Sequence, residues 1–192
     1  MFTGIIQSLA RVSLFKNGRL VLERPSGMPD LSVGESIAVD GVCLTLERIG
    51  PETLAFRLLP ETARVTTLGR LTAGRKVHVE RALKLGDRLG GHWLLGHVDA
   101  QAKLVSRRRE RDSLTLEIAF PESLRPFLVP KGPVAMDGVS LTIGPIISGG
   151  RFSVYLVSHT LRTTHLGDKR RGDLLNLELD GVAKYLHGML VT

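Results

Sequence analysis

The stretch Gly34–Leu46, GESIAVDGVCLTL, returns almost intact as Lys131–Ile143, KGPVAMDGVSLTI. The two copies lock on Asp40-Gly41 and Asp137-Gly138, about 97 residues apart, and self-similarity at one fixed period marks a chain built twice from one plan. The repeat has a readable shape. Asp-Gly between apolar runs is a hairpin signal, because glycine accepts a positive φ without a Cβ clash. Beyond the turn, side chains alternate between faces. Val42, Leu44 and Leu46 form an oily face, with Cys43 and Thr45 behind it; Val139, Leu141 and Ile143 repeat that face, with Ser140 and Thr142 behind. The small polar face is either the wet side of an edge strand or the lining of two equivalent pockets.

The rest of the chain follows the same plan. In the first half, strands are expected over Gly4–Val12, Arg19–Glu23, Ser36–Val39, Val42–Arg48, Thr53–Leu59 and Val77–Arg81, with a short helix over Pro60–Leu68 closed by Gly69. In the second, Gly96–Val105, Ser113–Phe120, Arg151–Val157 and Leu174–Leu179 answer their counterparts, and HTLRTTHLG at His159–Gly167 answers ETARVTTLG at Glu61–Gly69. About six short strands per half, separated by turn signals, suit a small antiparallel barrel or sandwich. The tail lies outside the repeat. Val182, Tyr185, Leu186, Met189 and Leu190 fall on one helical face, which packs either on its own barrel or on neighbouring chains.

Composition narrows the function. The lone cysteine, Cys43, excludes an intrachain disulfide and suits a reducing compartment; it is either a small buried hydrophobe or a nucleophile. The N-terminus has no basic region or cleavage site, and no apolar run reaches the length of a membrane span, so the expected address is the cytoplasm, with no membrane partner. A net charge of +7 would suit nucleic acid. However, its densest run, Arg107–Asp112, contains two acids and sits between strands as a hairpin tip does. Trp93, Tyr155 and Tyr185 form no stacking platform, so nucleic acid is not an expected partner; a basic surface also attracts phosphorylated or other anionic small molecules. Lys84–His92 links the halves, and its glycines lack the spacing of a phosphate loop. His92 and His97 have no cysteine or acid at ligand spacing, so neither a metal nor a cofactor is expected.

MFTGI at the N-terminus, GESIAVDGVCLT, ETxRxTxLG, VxxERALxxGDRLGGHxxxGHVD and the two echoes in the second half come in order over nearly the whole chain. Together they resemble riboflavin synthase. The resemblance implies an all-β fold of two six-stranded antiparallel Greek-key barrels with short helices: residues 1–87, residues 88–180, and a C-terminal oligomerisation helix over 181–192. It implies a homotrimer, in which the N-terminal barrel of one subunit faces the C-terminal barrel of the next, with lumazine synthase as a further partner. It also implies the reaction: two molecules of 6,7-dimethyl-8-ribityllumazine exchange a four-carbon unit, giving riboflavin and 5-amino-6-ribitylaminouracil without an external cofactor.

Site residues follow from the matching motifs. The resemblance marks Ser36, Cys43 and His97 as the polar catalytic group, and Phe2 as a ring that helps close the pocket. His97 is a candidate proton shuttle or a structural histidine; Cys43 and Ser36 add to the ring or fix a water that adds. Substrate contacts in the first half fall on Gly4, Ile5 and Ile6, on Cys43, Leu44 and Thr45, and on Arg57, Leu58, Leu59, Pro60, Glu61 and Thr62. In the second half they fall on Gly96, His97 and Val98, on Lys131, on Ser140, Leu141 and Thr142, and on Val157, Ser158, His159, Thr160, Leu161 and Arg162. Thr45, Thr62, Thr142 and Thr160 offer hydroxyls to a ribityl chain. Asp137 orients a ligand hydroxyl or is a plain turn residue. The halves differ where it matters: Cys43 against Ser140, Ile5 against His97, Ser36 against Pro133. Unlike groups at paired sites fit unlike roles for two copies of one substrate. The alternative is a non-catalytic lumazine or flavin binder of the same family.

Overall fold

The structure, a computed structural model, describes residues 1–191. Each half closes into a six-stranded antiparallel barrel with the same strand order. The first comprises β1 (Ser8–Lys16), β2 (Arg19–Glu23), β3 (Ser36–Val39), β4 (Val42–Ile49), β5 (Thr53–Arg57) and β6 (Lys76–Arg81), with α1 (Pro60–Val65) between β5 and β6. The second comprises β7 (Ala100–Glu110), β8 (Ser113–Ala119), β9 (Pro133–Met136), β10 (Val139–Ile147), β11 (Arg151–Leu156) and β12 (Leu174–Leu179), with α2 (Ser158–Thr163) in the matching place. Around the first barrel the order is β1-β2-β5-β4-β3-β6, a Greek-key path, and β7-β8-β11-β10-β9-β12 reproduces it. The tail forms α3 (Gly181–Leu190), started by Asp180, whose side chain accepts from the Val182 amide.

Each barrel is filled by the inward faces of its strands. Leu20, Leu22, Leu46, Phe56 and Val77 lie in the first core, and Leu104, Leu116, Phe152, Val154 and Leu175 in the second. A third, smaller cluster lies between them: Phe2, Ala38, Leu94 and Ala135.

Two expectations are corrected. The first strands of the halves begin at Ser8 and Ala100, not at Gly4 and Gly96, because those glycines turn the chain at φ of 75° and 76°. The residues before each strand form arms instead. The helix expected over Pro60–Leu68 ends at Val65; Thr66 is extended, and its hydroxyl accepts from the Leu68 amide to start a separate 3-10 turn over Thr67–Arg70. No helix among the described residues is long and apolar enough to cross a membrane.

Candidate functional site

The two Asp-Gly hairpins meet back to back. Asp40 and Gly41 have φ of 43° and 78°, and Asp137 and Gly138 of 46° and 79°, the two positive values that a tight hairpin turn requires. A Cβ on Gly41 would lie 2.6 Å from the Gly138 nitrogen, and one on Gly138 the same distance from Gly41, so only glycine lets the turns touch.

Beside this contact the halves exchange their arms. The Ser140 amide donates to the Gly4 carbonyl at 2.9 Å, and the Cys43 amide to the Gly96 carbonyl at 2.9 Å. Ile6 packs against the second barrel's core and Val98 against the first's. This corrects the grouping by half. Gly4, Ile5 and Ile6 belong beside Ser140, Leu141 and Thr142, whereas Gly96, His97 and Val98 belong beside Cys43, Leu44 and Thr45. Cys43 is thus paired with the residue just before His97, although the sequence places the two in different halves.

Two carboxylates that the sequence did not single out hold the arms. Glu80 on β6 accepts from the Thr3 amide at 2.6 Å, the Thr3 hydroxyl at 2.7 Å and the Gly4 amide at 3.0 Å. Glu178, its counterpart on β12, accepts from the amides of Leu95 at 2.8 Å and Gly96 at 3.1 Å. Burial raises both carboxyls above the usual range against the pull of these donors. The signal was present in the repeat, since Glu80 and Glu178 recur on matching strands, but a lone acid on a strand does not show what it anchors.

On the first hairpin Ser36 pairs with Thr45 and Ala38 with Cys43, so these four share the face turned away from the core. The second hairpin matches it with Pro133 opposite Thr142 and Ala135 opposite Ser140. Cys43 is half-buried against the Phe2, Ala38 and Leu94 cluster, and His97 is exposed, one residue beyond the Gly96 that pairs with Cys43. Phe2 is only 1% exposed, pairs with Leu94 and belongs to the cluster that Cys43 packs against. Leu44, Leu58 and Leu141 point into the cores, and the Leu58 amide donates to the Gly18 carbonyl at 2.7 Å. Leu59, Pro60 and Glu61 are exposed at the start of α1, with Thr62 half-buried and Glu61 held by Arg64; Arg57 is exposed at the end of β5. Around α2, Val157, His159 and Arg162 are exposed, Thr160 and Leu161 half-buried, and the Ser158 hydroxyl donates to the Asp112 carbonyl at 3.0 Å. Lys131 is exposed with φ of 67°, where its repeat counterpart is Gly34 at 90°. A lysine kept in a glycine's conformation points to a use for its side chain.

Asp137 is placed elsewhere. It is fully buried between the barrels, where its carboxylate meets Lys169 Nζ at 2.6 Å and accepts from the Asn176 amide at 2.7 Å, so its role is in the seam rather than against a ligand. Around it the seam holds a network that the sequence did not reveal. Asp40 accepts from the His78 amide at 2.7 Å and lies 2.9 Å from His165 Nε2. The His78 and His165 rings stack at 3.7 Å. Burial, and then the neighbouring His165, depress the His78 pKa to about 3, so His78 is neutral. Burial opposes charge on His165, but Asp40 outweighs it and holds the ring protonated above the ordinary histidine range. The sequence offered no metal-ligand cluster, yet Asp40, His78 and His165 bring ligand atoms within 4.8 Å of one another. The protein itself occupies them: His78 Nδ1 donates to the Asp137 carbonyl at 2.8 Å, and its Nε2 accepts from the His165 amide at 2.9 Å. A metal would have to displace both bonds.

One further residue belongs to the second seat. His92 Nδ1 lies 2.6 Å from Ser140 Oγ, and its Nε2 is buried with no partner among the described residues. Burial lowers its pKa, so the ring is neutral near pH 7. A buried neutral imidazole with one open nitrogen, on a hydroxyl at the pocket wall, is suited to move a proton or orient a ligand. The sequence showed His92 only as a histidine five residues from His97; its contact with Ser140 crosses the arm.

The Lumazine binding domain family matches the chain twice, over residues 3–82 and 95–180. The riboflavin synthase of Brucella abortus (strain 2308) is 40% identical over 194 residues, covering 96% of each chain. That of Bacillus subtilis (strain 168) is 34% identical, covering 99% of this chain and 90% of the other. Among solved structures, LumP complexed with riboflavin superposes with a TM-score of 0.86 at 27% identity, covering 93% of this chain and 99% of that one. LumP complexed with 6,7-dimethyl-8-(1'-D-ribityl) lumazine gives 0.83 at 26%, with the same coverage. With both barrels matched and full-length relatives at these identities, the chain belongs to the riboflavin synthase family of lumazine-binding-domain proteins.

Proposed function

We propose that the protein is a riboflavin synthase that converts two molecules of 6,7-dimethyl-8-ribityllumazine into riboflavin and 5-amino-6-ribitylaminouracil. The observation that carries this is the exchange of arms. It produces two seats of one backbone design and unlike chemistry, Cys43 with His97 in one and Ser140 with His92 and Ile5 in the other. Two copies of one substrate with opposite roles need such a pair.

Each seat is an open face with exposed Thr45 or Thr142 and the exposed start of α1 or α2 beside it. Two such faces from neighbouring subunits, brought together, stack the pteridines and turn an encounter into an oriented reaction. His97 carries the proton that leaves a C7 methyl, and Cys43 and Ser36, on the same seat, add to a lumazine ring or hold the water that does. The backbone amides and carbonyls beside Leu44 and Leu141 pair with the uracil-like ring edges, and Lys131 and the threonines hold the ribityl chains. The assembly is a homotrimer. Its support is α3, where Val182, Tyr185, Leu186, Met189 and Leu190 are all more than half exposed, a stripe that suits burial against its copies. Lumazine synthase, which would supply the substrate, and a cytoplasmic location complete the reading.

The test is riboflavin fluorescence after mixing the purified protein with the lumazine and no added cofactor. Cys43→Ser is expected to lower turnover by about tenfold or more while ligand affinity changes little. A second reading has a specific observation in its favour, the likeness to LumP bound to riboflavin and to the lumazine. Under it the protein binds the lumazine tightly and forms no riboflavin.

A further inference from the structure

A cleft of about 700 Å³ that belongs to neither seat runs along the seam. The first barrel contributes Arg11, Arg70, Arg75 and Lys76, and the second Lys169 and Arg170. None of the residues assigned to the lumazine seats lines it. Its floor is the buried Asp40–His165 pair, whose charges cancel. Lys169 is likewise neutralised by Asp137 beneath it.

The remaining charge is unbalanced. Arg11, Arg70, Arg75, Lys76 and Arg170 face two carboxylates on the rim, Asp168 and Asp173. Arg11 is engaged with the Gly74 carbonyl at 3.3 Å. The salt bridges of the described residues leave out Arg70, Arg75, Lys76 and Arg170 altogether. Cations drawn together around a concavity without internal partners repel one another, and an anion relieves that repulsion. Guanidinium forks match phosphate oxygens in pairs, and a cleft of this size is in the range that encloses a small metabolite. Leu71, Thr67 and Leu174 provide an apolar and hydroxyl-bearing wall for the rest of such a molecule.

We propose that this seam cleft is a second binding site, for a phosphorylated small molecule whose phosphate is held among Arg70, Arg75, Lys76 and Arg170. This explains where the chain's excess of positive charge is used. It stands independently of the proposed reaction, since it involves none of the residues that carry that chemistry.

The experiment is calorimetric titration of the full chain in its native assembly with ribose 5-phosphate, at an ionic strength of about 0.15 M, where bulk surface charge is largely screened. Saturable binding of one molecule per chain with a Kd below about 1 mM is expected, with none for ribose. An Arg75→Gln, Arg170→Gln double variant is expected to bind at least about tenfold more weakly. A control double variant of the exposed hairpin, Arg108→Gln, Arg109→Gln, is expected to bind as the parent does. Saturating 6,7-dimethyl-8-ribityllumazine is expected to leave the titration unchanged. The proposal is overturned if no saturable binding occurs, if ribose binds equally, if the two double variants weaken binding alike, or if the lumazine competes. Melting temperatures of both variants are measured alongside, and Lys76→Gln alone, expected to weaken binding severalfold, decides the matter if the double variant does not fold.

Discussion

The amide of Cys43 on β4 donates to the carbonyl of Gly96, the residue just before His97, at 2.9 Å. A strand of the first barrel is thus paired with the arm of the second, and a candidate nucleophile is brought to a candidate proton carrier from more than a quarter of the chain away. A Cβ on Gly96 would lie 2.6 Å from the Cys43 Cβ, in addition to its φ of 76°. Gly96→Ala is therefore expected to displace the arm, at a cost of about 1–3 kcal/mol for the strained backbone, and to lower turnover by about a hundredfold. Circular dichroism and a riboflavin assay check this: the barrels stay folded while activity falls.

His92 and Ser140 act as one unit if their 2.6 Å contact is functional. Ser140→Ala and His92→Ala are each expected to lower kcat/KM by about tenfold or more, and the double variant to lose little beyond either single one. Steady-state kinetics on the three proteins check the cycle. Simple additivity of the losses would separate the two residues.

His78 gives the seam a pH dependence on the acid side. Its pKa falls from 6.5 in the unfolded chain to about 3 in the fold, so the unfolded state binds the extra proton between those values. The contribution of His78 is therefore full above the unfolded pKa and declines as the pH drops toward 3, with a slope of at most about 1.4 kcal/mol per pH unit. The second half offers the natural control, Asn176 in the place of His78. His78→Asn is expected to remain folded at pH 7 and to lose stability less steeply on acidification, as read from urea midpoints between pH 7 and pH 4.

Much of this was legible in the chain. The Asp-Gly turns and the period-two alternation after them fixed both hairpins, and the strands Arg19–Glu23, Ser36–Val39 and Leu174–Leu179 lie where they were expected. The second half could be read because the first could. The arms could not. Gly4-Ile5-Ile6 looks like the start of a strand, and only its pairing with Ser140, in the other barrel, shows otherwise. The seam was hidden for the same reason. Asp40, His78, His165 and Lys169 are scattered over the chain, and each alone is an ordinary residue on a turn, a strand or a loop.

The exposed stripe of α3 should hold the assembly together. Under the proposed homotrimer, Tyr185→Glu with Leu186→Glu is expected to give single chains of 21.0 kDa without unfolding either barrel, because both side chains are more than half exposed and belong to neither core. Light scattering with circular dichroism checks it. Since opposed seats then no longer meet, riboflavin formation is expected to stop while lumazine still binds.

The most direct measurement is the mass balance of the reaction. Purified protein is incubated with 6,7-dimethyl-8-ribityllumazine alone, and substrate and products are separated and quantified over time. Unlike seats for like substrates predict one riboflavin and one 5-amino-6-ribitylaminouracil for every two lumazines consumed, with no added cofactor. Lumazine that is bound stoichiometrically but never consumed would contradict the account.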